Sequence, residues 1–146
     1  MFELNTNNKH NQCIRLENII NTESRLTVKK VENTLELANK YAEICINNME
    51  KDKWVMFINP EESAISQLAS FDGITHKNVL CVNIAADKLS NTQVLSLFKT
   101  TLSANNCSAV VLPDSLCAKF DEKELSVEFI HSEANGYILS NSNITH

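Results

Sequence analysis

The sequence predicts a three-layer α/β/α domain built on a mostly parallel central sheet. Three apolar runs of strand length occur at 54–58, 79–84 and 108–112. Each run is apolar on both faces, which is typical of strands covered by helices on both sides. Each is also followed by residues that favour the start of a helix, and strands that alternate with helices form parallel sheets with right-handed crossovers.

The N-terminal part of the chain is predicted to be a flexible arm over residues 1–27, containing at most one short turn or edge strand. This segment is rich in Asn and Thr and has few apolar residues to bury. A helix is then predicted over 31–50, because apolar residues recur there at alternating steps of four and three. These residues are Val31, Leu35, Ala38, Ala42, Cys45 and Met49. The stripe is too short for a coiled coil, so we expect it to pack on the sheet.

The first strand, 54–58, leads into a predicted helix that ends near Gly73. Asn59 is the expected N-cap, Pro60 suits the first helical position, and Glu62 completes a capping box. Gly73 is expected to end the helix in a left-handed conformation.

The second half of the domain repeats the alternation. After the strand at 79–84, Ser90 and Gln93 form a capping box ahead of a helix to about residue 102. The strand at 108–112 follows, and 122–131 fits either a helix or a strand. A last strand is predicted at 136–139, so the single α/β domain spans 28–140 and a flexible tail spans 141–146.

Composition excludes several classes of protein. A net charge of -5 argues against nucleic-acid binding. The chain contains neither a signal-peptide pattern nor an apolar run long enough to cross a membrane, so we expect a cytoplasmic protein. Its five cysteines include no C-x-x-C pair and lie mostly within apolar runs, so they are expected to be buried thiols and not disulfides or zinc ligands. Its two glycines, Gly73 and Gly136, lie too far apart for a phosphate loop or a dinucleotide-binding turn.

Catalytic patterns are weak. Asn59, Asn83, Asp87 and Asp114 follow strands and would lie at the carboxyl rim of the sheet, where ligands bind in open α/β folds. Asp87 and Asp114 could hold magnesium or relay a proton, but no third group joins them. Asp114 is better explained as an N-cap. We therefore expect a non-enzymatic binding module without a cofactor or metal, and keep a small enzyme or ligand-sensing domain at this rim as the alternative.

From residue 31 onward, several short strings resemble the SulA family of bacterial cell-division inhibitors. The similar segments are 52–54, 58–62, 77–80, 106–111 and 136–139, and Gly73 closes the helix at the distance found in the family. The resemblance implies a RecA-like fold that lacks the phosphate loop. It also implies an inhibitor that is induced in the SOS response to DNA damage, binds FtsZ and blocks FtsZ polymerisation. A homodimer and clearance by Lon protease are further family traits.

The resemblance also carries over individual residues. It implies partner contacts at Lys53, Leu68, Lys77 and Asn78, structural support of the site from Trp54 and Ile58, and protease recognition at His146. Simpler interpretations stay open for three of these residues. Lys53 could be a solvated charge at a helix end, Leu68 could face the core with Ile65, and Lys77 could be ordinary surface.

Overall fold

Five parallel strands form the sheet of the computed structural model, which describes residues 25–118 and 121–141. The strands are β1 (Leu26–Val31), β2 (Trp54–Ile58), β3 (Val79–Val82), β4 (Cys107–Pro113) and β5 (Asn135–Asn141). Their spatial order is β1-β5-β4-β2-β3. The predicted parallel α/β architecture is confirmed.

Helices cover both faces of this sheet. They are α1 (Thr34–Asn48), α2 (Glu62–Ile65), α3 (Asn91–Ser103), α4 (Asp114–Cys117) and α5 (Glu122–Ile130). Two buried clusters separate the layers: α1 and α2 pack on one face, and α3, α4 and α5 pack on the other. The buried strand β4 serves both clusters, because Val111 faces the first and Val110 the second. This division explains why the strand runs are apolar on both faces.

The chain crosses the sheet from β1 to β2, continues to β3, and then reverses through β4 to β5. The carboxyl ends of β2 and β4 are neighbours at the point of reversal. This is the topological switch point, where open α/β sheets usually offer a cleft.

The N-terminal boundary differs from the prediction. Leu26 and Thr27, placed in the flexible arm, begin β1, and Val31, placed at the start of the first helix, ends it. The helix starts after Asn33, whose side chain accepts a hydrogen bond from the Glu36 N–H at 2.8 Å. The rest of the predicted arm, 1–24, and the tail beyond 141 lie outside the described residues.

The buried face of α1 is rotated from the predicted stripe. Ala38, Ala42 and Cys45 are buried as expected, but Leu35 is 62% exposed and the face is widened by Leu37 and Tyr41. Leu37 and Tyr41 lie on the side of the stripe away from Leu35, and apolar residues spaced by three or four do not by themselves show which adjacent residues of the helix are also buried.

The segment after β2 is the main correction at the level of elements. Asn59 is not an N-cap: α2 follows Glu61 without a side-chain cap and gives way to a 3-10 segment, Ser66–Ser70. Gly73 does adopt the predicted left-handed conformation, with φ of 85°. Asp114 is not an N-cap either, because Pro113 holds that position before α4.

Other local signals are confirmed. Ser90 and Gln93 form the predicted capping box of α3. The segment left open between helix and strand is the helix α5, which begins with a capping box of Asp121 and Glu124.

Candidate partner-binding surface at the amino edge of the sheet

Four of the sequence-predicted site residues line one shallow cavity of about 360 Å³. Lys53 and Trp54 lead into β2, and Lys77 and Asn78 lead into β3. Because β2 and β3 are parallel neighbours, their amino ends meet at the same edge of the sheet. We call this cavity, which Lys51 and Asp52 complete, the amino-edge surface.

A tight turn positions the β2 side of this surface. The Lys53 N–H donates to the Glu50 carbonyl at 3.3 Å, and Asp52 takes a left-handed conformation with φ of 66°. Aspartate tolerates this backbone better than most residues. The turn leaves Lys51 and Asp52 exposed and directs the chain from α1 into β2.

Asn78 holds the two sides of the surface together. Its Nδ2 donates to the Lys53 carbonyl at 2.9 Å and to the Glu50 carbonyl at 3.4 Å. Its amide nitrogen is therefore used inside the protein, which gives Asn78 a positioning role. Lys77 beside it is exposed, so its ammonium group can meet a partner.

Trp54 is more exposed than its position in an apolar run suggests. Its side chain is 37% exposed, whereas Val55 next to it is fully buried. The pairing of β2 with β4 is irregular between these two residues, and Trp54 lies before the regular part of the strand. Trp54, from which the resemblance implies structural support of the site, is thus itself partly exposed at the amino-edge surface. An exposed tryptophan beside lysines offers apolar area together with an indole N–H donor, a combination enriched at protein interfaces.

Lys53 forms an ion pair with Glu133, which precedes β5. Lys53 Nζ lies 3.1 Å from Glu133 Oε1, and the Glu133 side chain is 64% exposed. The hydrogen bond from Lys53 is the main cause that lowers the pKa of Glu133, followed by one from Asn105. Solvent screens such an exposed pair, so it orients Lys53 more than it stabilises the fold.

A polar network lies at the amino ends of β4 and β5, next to the amino-edge surface. The Asn135 Nδ2 donates to Asn48 Oδ1 at 2.8 Å, the Asn48 Nδ2 donates to the Tyr137 hydroxyl at 3.0 Å, and the Ser108 hydroxyl donates to the Asn48 carbonyl at 2.6 Å. These bonds tie the end of α1 to β4 and β5. Satisfied buried networks of this kind fix one geometry.

The other sequence-predicted residues lie elsewhere. Leu68 is 3% exposed and packs between the sheet and α1, so the prediction of a partner contact is corrected to a core position. Ile58 is buried as expected, at the carboxyl end of β2. His146 lies outside the described residues.

Sequence reasoning missed several residues of this edge. Lys51, Asp52 and Glu133 are charged loop residues without a local motif. Asn48 could have been noticed from the sequence, because it is a polar residue beside the apolar stripe in the last turn of α1. In the structure it is buried, at 5% exposure.

The carboxyl rim does not unite the two aspartates of the alternative prediction. A cavity of about 190 Å³ lies at the switch point, between the ends of β2 and β4, and includes Asp114 and Tyr41. Asp87 lies in a separate 3-10 turn after β3. The Tyr41 hydroxyl accepts a hydrogen bond from the Glu61 N–H at 3.2 Å. Burial raises the pKa of Tyr41. Within 25–118 and 121–141, no group of three His, Cys, Asp or Glu side chains is placed to hold a metal ion.

The fold and this surface define a class: a parallel α/β domain with lysines and a partly exposed tryptophan at the amino edge of its sheet. No protein-family model matches the sequence, and no curated protein matches it. The crystal structure of SulA from Pseudomonas aeruginosa is similar, with a TM-score of 0.57 and 15% sequence identity. The match covers 81% of this chain and 98% of the SulA chain. The protein therefore has a SulA-like fold. No helix in the described part is long and apolar enough to cross a membrane.

Proposed function

We propose that this protein is a cytoplasmic cell-division inhibitor of the SOS response, which binds FtsZ through the amino-edge surface and blocks FtsZ polymerisation. The single observation that supports this proposal most is the convergence of Lys53, Trp54, Lys77 and Asn78 on one cavity. The similarity to SulA supports it through the fold.

The surface acts by binding, without a chemical step. Trp54 supplies the apolar contact, and Lys53 and Lys77 supply positive charge against acidic groups of the partner. Asn78 holds the loop before β3 against the loop before β2, because its side-chain amide donates a hydrogen bond to the Lys53 carbonyl. Inhibition is stoichiometric, because each bound inhibitor occupies a surface that one FtsZ molecule needs for protofilament growth.

The test is sedimentation of FtsZ polymer with GTP, using FtsZ from the same organism and increasing amounts of this protein. We expect the pelleted polymer to fall until the two proteins are near equimolar. Lys53→Glu should raise the concentration for half-inhibition by about tenfold or more, because reversing one interfacial charge costs at least about 1.4 kcal/mol.

Two variants serve as controls. Lys99→Glu makes the same charge change on α3, at a lysine whose partner is Glu128 at 3.8 Å, and should inhibit like the wild type. Asp114→Ala alters the carboxyl rim, at the other end of the strands, and should also leave inhibition unchanged. The proposal fails if several-fold excess of the wild type does not reduce polymer, or if Lys53→Glu inhibits as strongly as Lys99→Glu.

A further inference from the structure

One acidic residue, Glu133, meets the lysines of the amino-edge surface. Its carboxylate lies 3.1 Å from the Lys53 ammonium, and within the described residues this is the only ion pair that Lys53 forms. Lys77 lines the same cavity and forms no ion pair with any described residue. The two lysines therefore present themselves differently to an acidic partner, because an internal carboxylate is already in place at Lys53.

The backbone of Glu133 is fixed, although its side chain lies at the surface. Arg25 Nη1 donates to the Glu133 carbonyl at 3.0 Å. The next residue, Ala134, is buried, and its N–H donates to the Ser132 hydroxyl at 3.1 Å. The Glu133 side chain itself is 64% exposed. Its carboxylate can therefore rotate away from Lys53 without a movement of the main chain.

Lys53 is held more firmly than Glu133. Its N–H donates to the Glu50 carbonyl, its own carbonyl accepts from Asn78, and its side chain is only 22% exposed. An ammonium group has three donors and no acceptor. If Glu133 moves away, Lys53 keeps its place at the cavity with its charge open to another carboxylate.

The Lys53–Glu133 pair is weak but fully charged. Solvent screens an exposed ion pair, so its exchange for another carboxylate costs little. Hydrogen bonds from Lys53 and Asn105 lower the pKa of Glu133, so its carboxylate is ionised at neutral pH. An acidic partner that approaches Lys53 thus meets a negative charge, and like charges that face each other across an interface weaken binding.

We propose that Glu133 limits the affinity of the amino-edge surface for acidic partners, because its carboxylate occupies the Lys53 ammonium that a partner carboxylate must take over. The inference rests on the proposed function for the identity of the partner. It adds the chemistry of the contact, which is the exchange of an internal carboxylate for an external one at Lys53. Lys77 needs no such exchange.

The test compares Glu133→Gln and Glu133→Ala with the wild type in binding a hexaglutamate peptide at low ionic strength. Trp54 is the only tryptophan of the chain and lines the cavity, so its fluorescence reports binding there. Glutamine keeps an acceptor for Lys53 but no charge, and alanine removes both. We expect the half-saturating peptide concentration to fall about two- to fivefold in both variants, the range that an exposed ion pair corresponds to.

Two controls separate this effect from a general change in net charge. Glu128→Gln makes the same substitution at a carboxylate whose partner is Lys99 at 3.8 Å, and it should bind the peptide like the wild type. In a Lys53→Met background, Glu133→Gln should no longer improve binding, because no ammonium remains to be released.

Three outcomes would overturn the inference. These are equal peptide affinities of the wild type and Glu133→Gln, a gain that persists in the Lys53→Met background, and no change of Trp54 fluorescence in any variant. Weaker binding by Glu133→Ala, with Glu133→Gln unchanged, would also overturn it, since Glu133 would then position Lys53 and not compete for it.

Sedimentation of FtsZ with the same variants separates this inference from the proposed function. We expect Glu133→Gln to inhibit polymerisation at a lower concentration than the wild type. If Glu133→Gln binds the peptide more tightly but no variant reduces polymer, the role of Glu133 stands and FtsZ is the wrong partner. If the wild type inhibits and Glu133→Gln gains nothing in either assay, the proposed function stands and the role of Glu133 fails.

Discussion

At the scale of single residues, Asn59 replaces strand pairing beyond the end of β2. Its backbone is left-handed, with φ of 48°, a conformation that asparagine adopts more readily than most residues. This turn aims the side-chain amide at Ile84, and both polar atoms of the amide are used there. The amide therefore continues the β2–β3 ladder one step past the strands.

Replacement of Asn59 by alanine should reduce the free energy of unfolding by about 2–4 kcal/mol. The variant loses two hydrogen bonds at about 1 kcal/mol each and strains a left-handed position. Asn59→Gly loses the same bonds without the strain, so it should be more stable than Asn59→Ala by about 1 kcal/mol. Urea unfolding of the two variants measures the difference, and equal stabilities would contradict this account of Asn59.

At the scale of elements, α5 packs against β5 through a close approach at Gly136. A Cβ placed on Gly136 would lie 2.6 Å from Cζ of Phe129, whose ring is fully buried. Packing at this distance leaves no room for a methyl group, so the spacing between helix and strand depends on this glycine.

Gly136→Ala should therefore destabilise the protein by about 1–3 kcal/mol through overpacking. In thermal unfolding, the loss should be smaller when the same substitution is made in a Phe129→Leu background, because the smaller side chain gives way. Additive effects of the two substitutions would refute direct contact as the cause. Gly73→Ala is the control for backbone strain without overpacking: apart from its chain neighbours, no atom of the described residues lies within 4 Å of its added Cβ, and its φ is left-handed.

At the scale of the whole molecule, each of the two buried clusters contacts a thiol that resists ionisation: Cys45 is a buried member of the first, and Cys117 is partly buried against the second. Burial raises the pKa of Cys45 from 9.0 to about 11, and burial together with nearby Asp114 and Glu122 raises the pKa of Cys117 to about 12. Cys45 packs between the sheet and α1, and Cys117 packs against the opposite cluster. The free energy contributed by the packing on each face of the sheet should therefore depend on pH in the same alkaline range.

The sign of this response follows from linkage. Because the folded-state pKa values are raised, the unfolded chain releases its thiol protons first as pH rises above 9. These thiols should not change the free energy of unfolding below pH 8. Above pH 9 they should lower it, up to about pH 11 for Cys45 and about pH 12 for Cys117, by at most about 1.4 kcal/mol per pH unit for each thiol. Urea unfolding at pH 8 to 10.5 measures this slope.

The variant Cys45→Ala/Cys117→Ala isolates the contribution of the thiols to the pH dependence. It should be less stable at pH 8, since methyl groups replace one buried and one partly buried thiol, yet its free energy of unfolding should fall less steeply above pH 9. A slope equal to that of the wild type would assign the alkaline response to other groups.

Part of the candidate site could be predicted from the sequence. Lys53, Lys77 and Asn78 were indicated by resemblance, and the adjacency of β2 and β3 brings them to one cavity. Glu133 could not be predicted, because its contact with Lys53 depends on the placement of β5 two strands away in the sheet. A residue's long-range partner depends on strand order, which local patterns do not encode.

By itself, the sequence determined the parallel α/β class and the capping box of α3, because apolar runs and capping boxes act over a few residues. Only the tertiary structure decided the strand order, the entry of Leu26 and Thr27 into β1, and the use of Asn59 as a bridge to Ile84. It also buried Leu68, where a partner contact was expected, and left Trp54 partly exposed. The physical reason is that a pattern records which residues are apolar, whereas burial depends on which surface each of them meets in the folded chain.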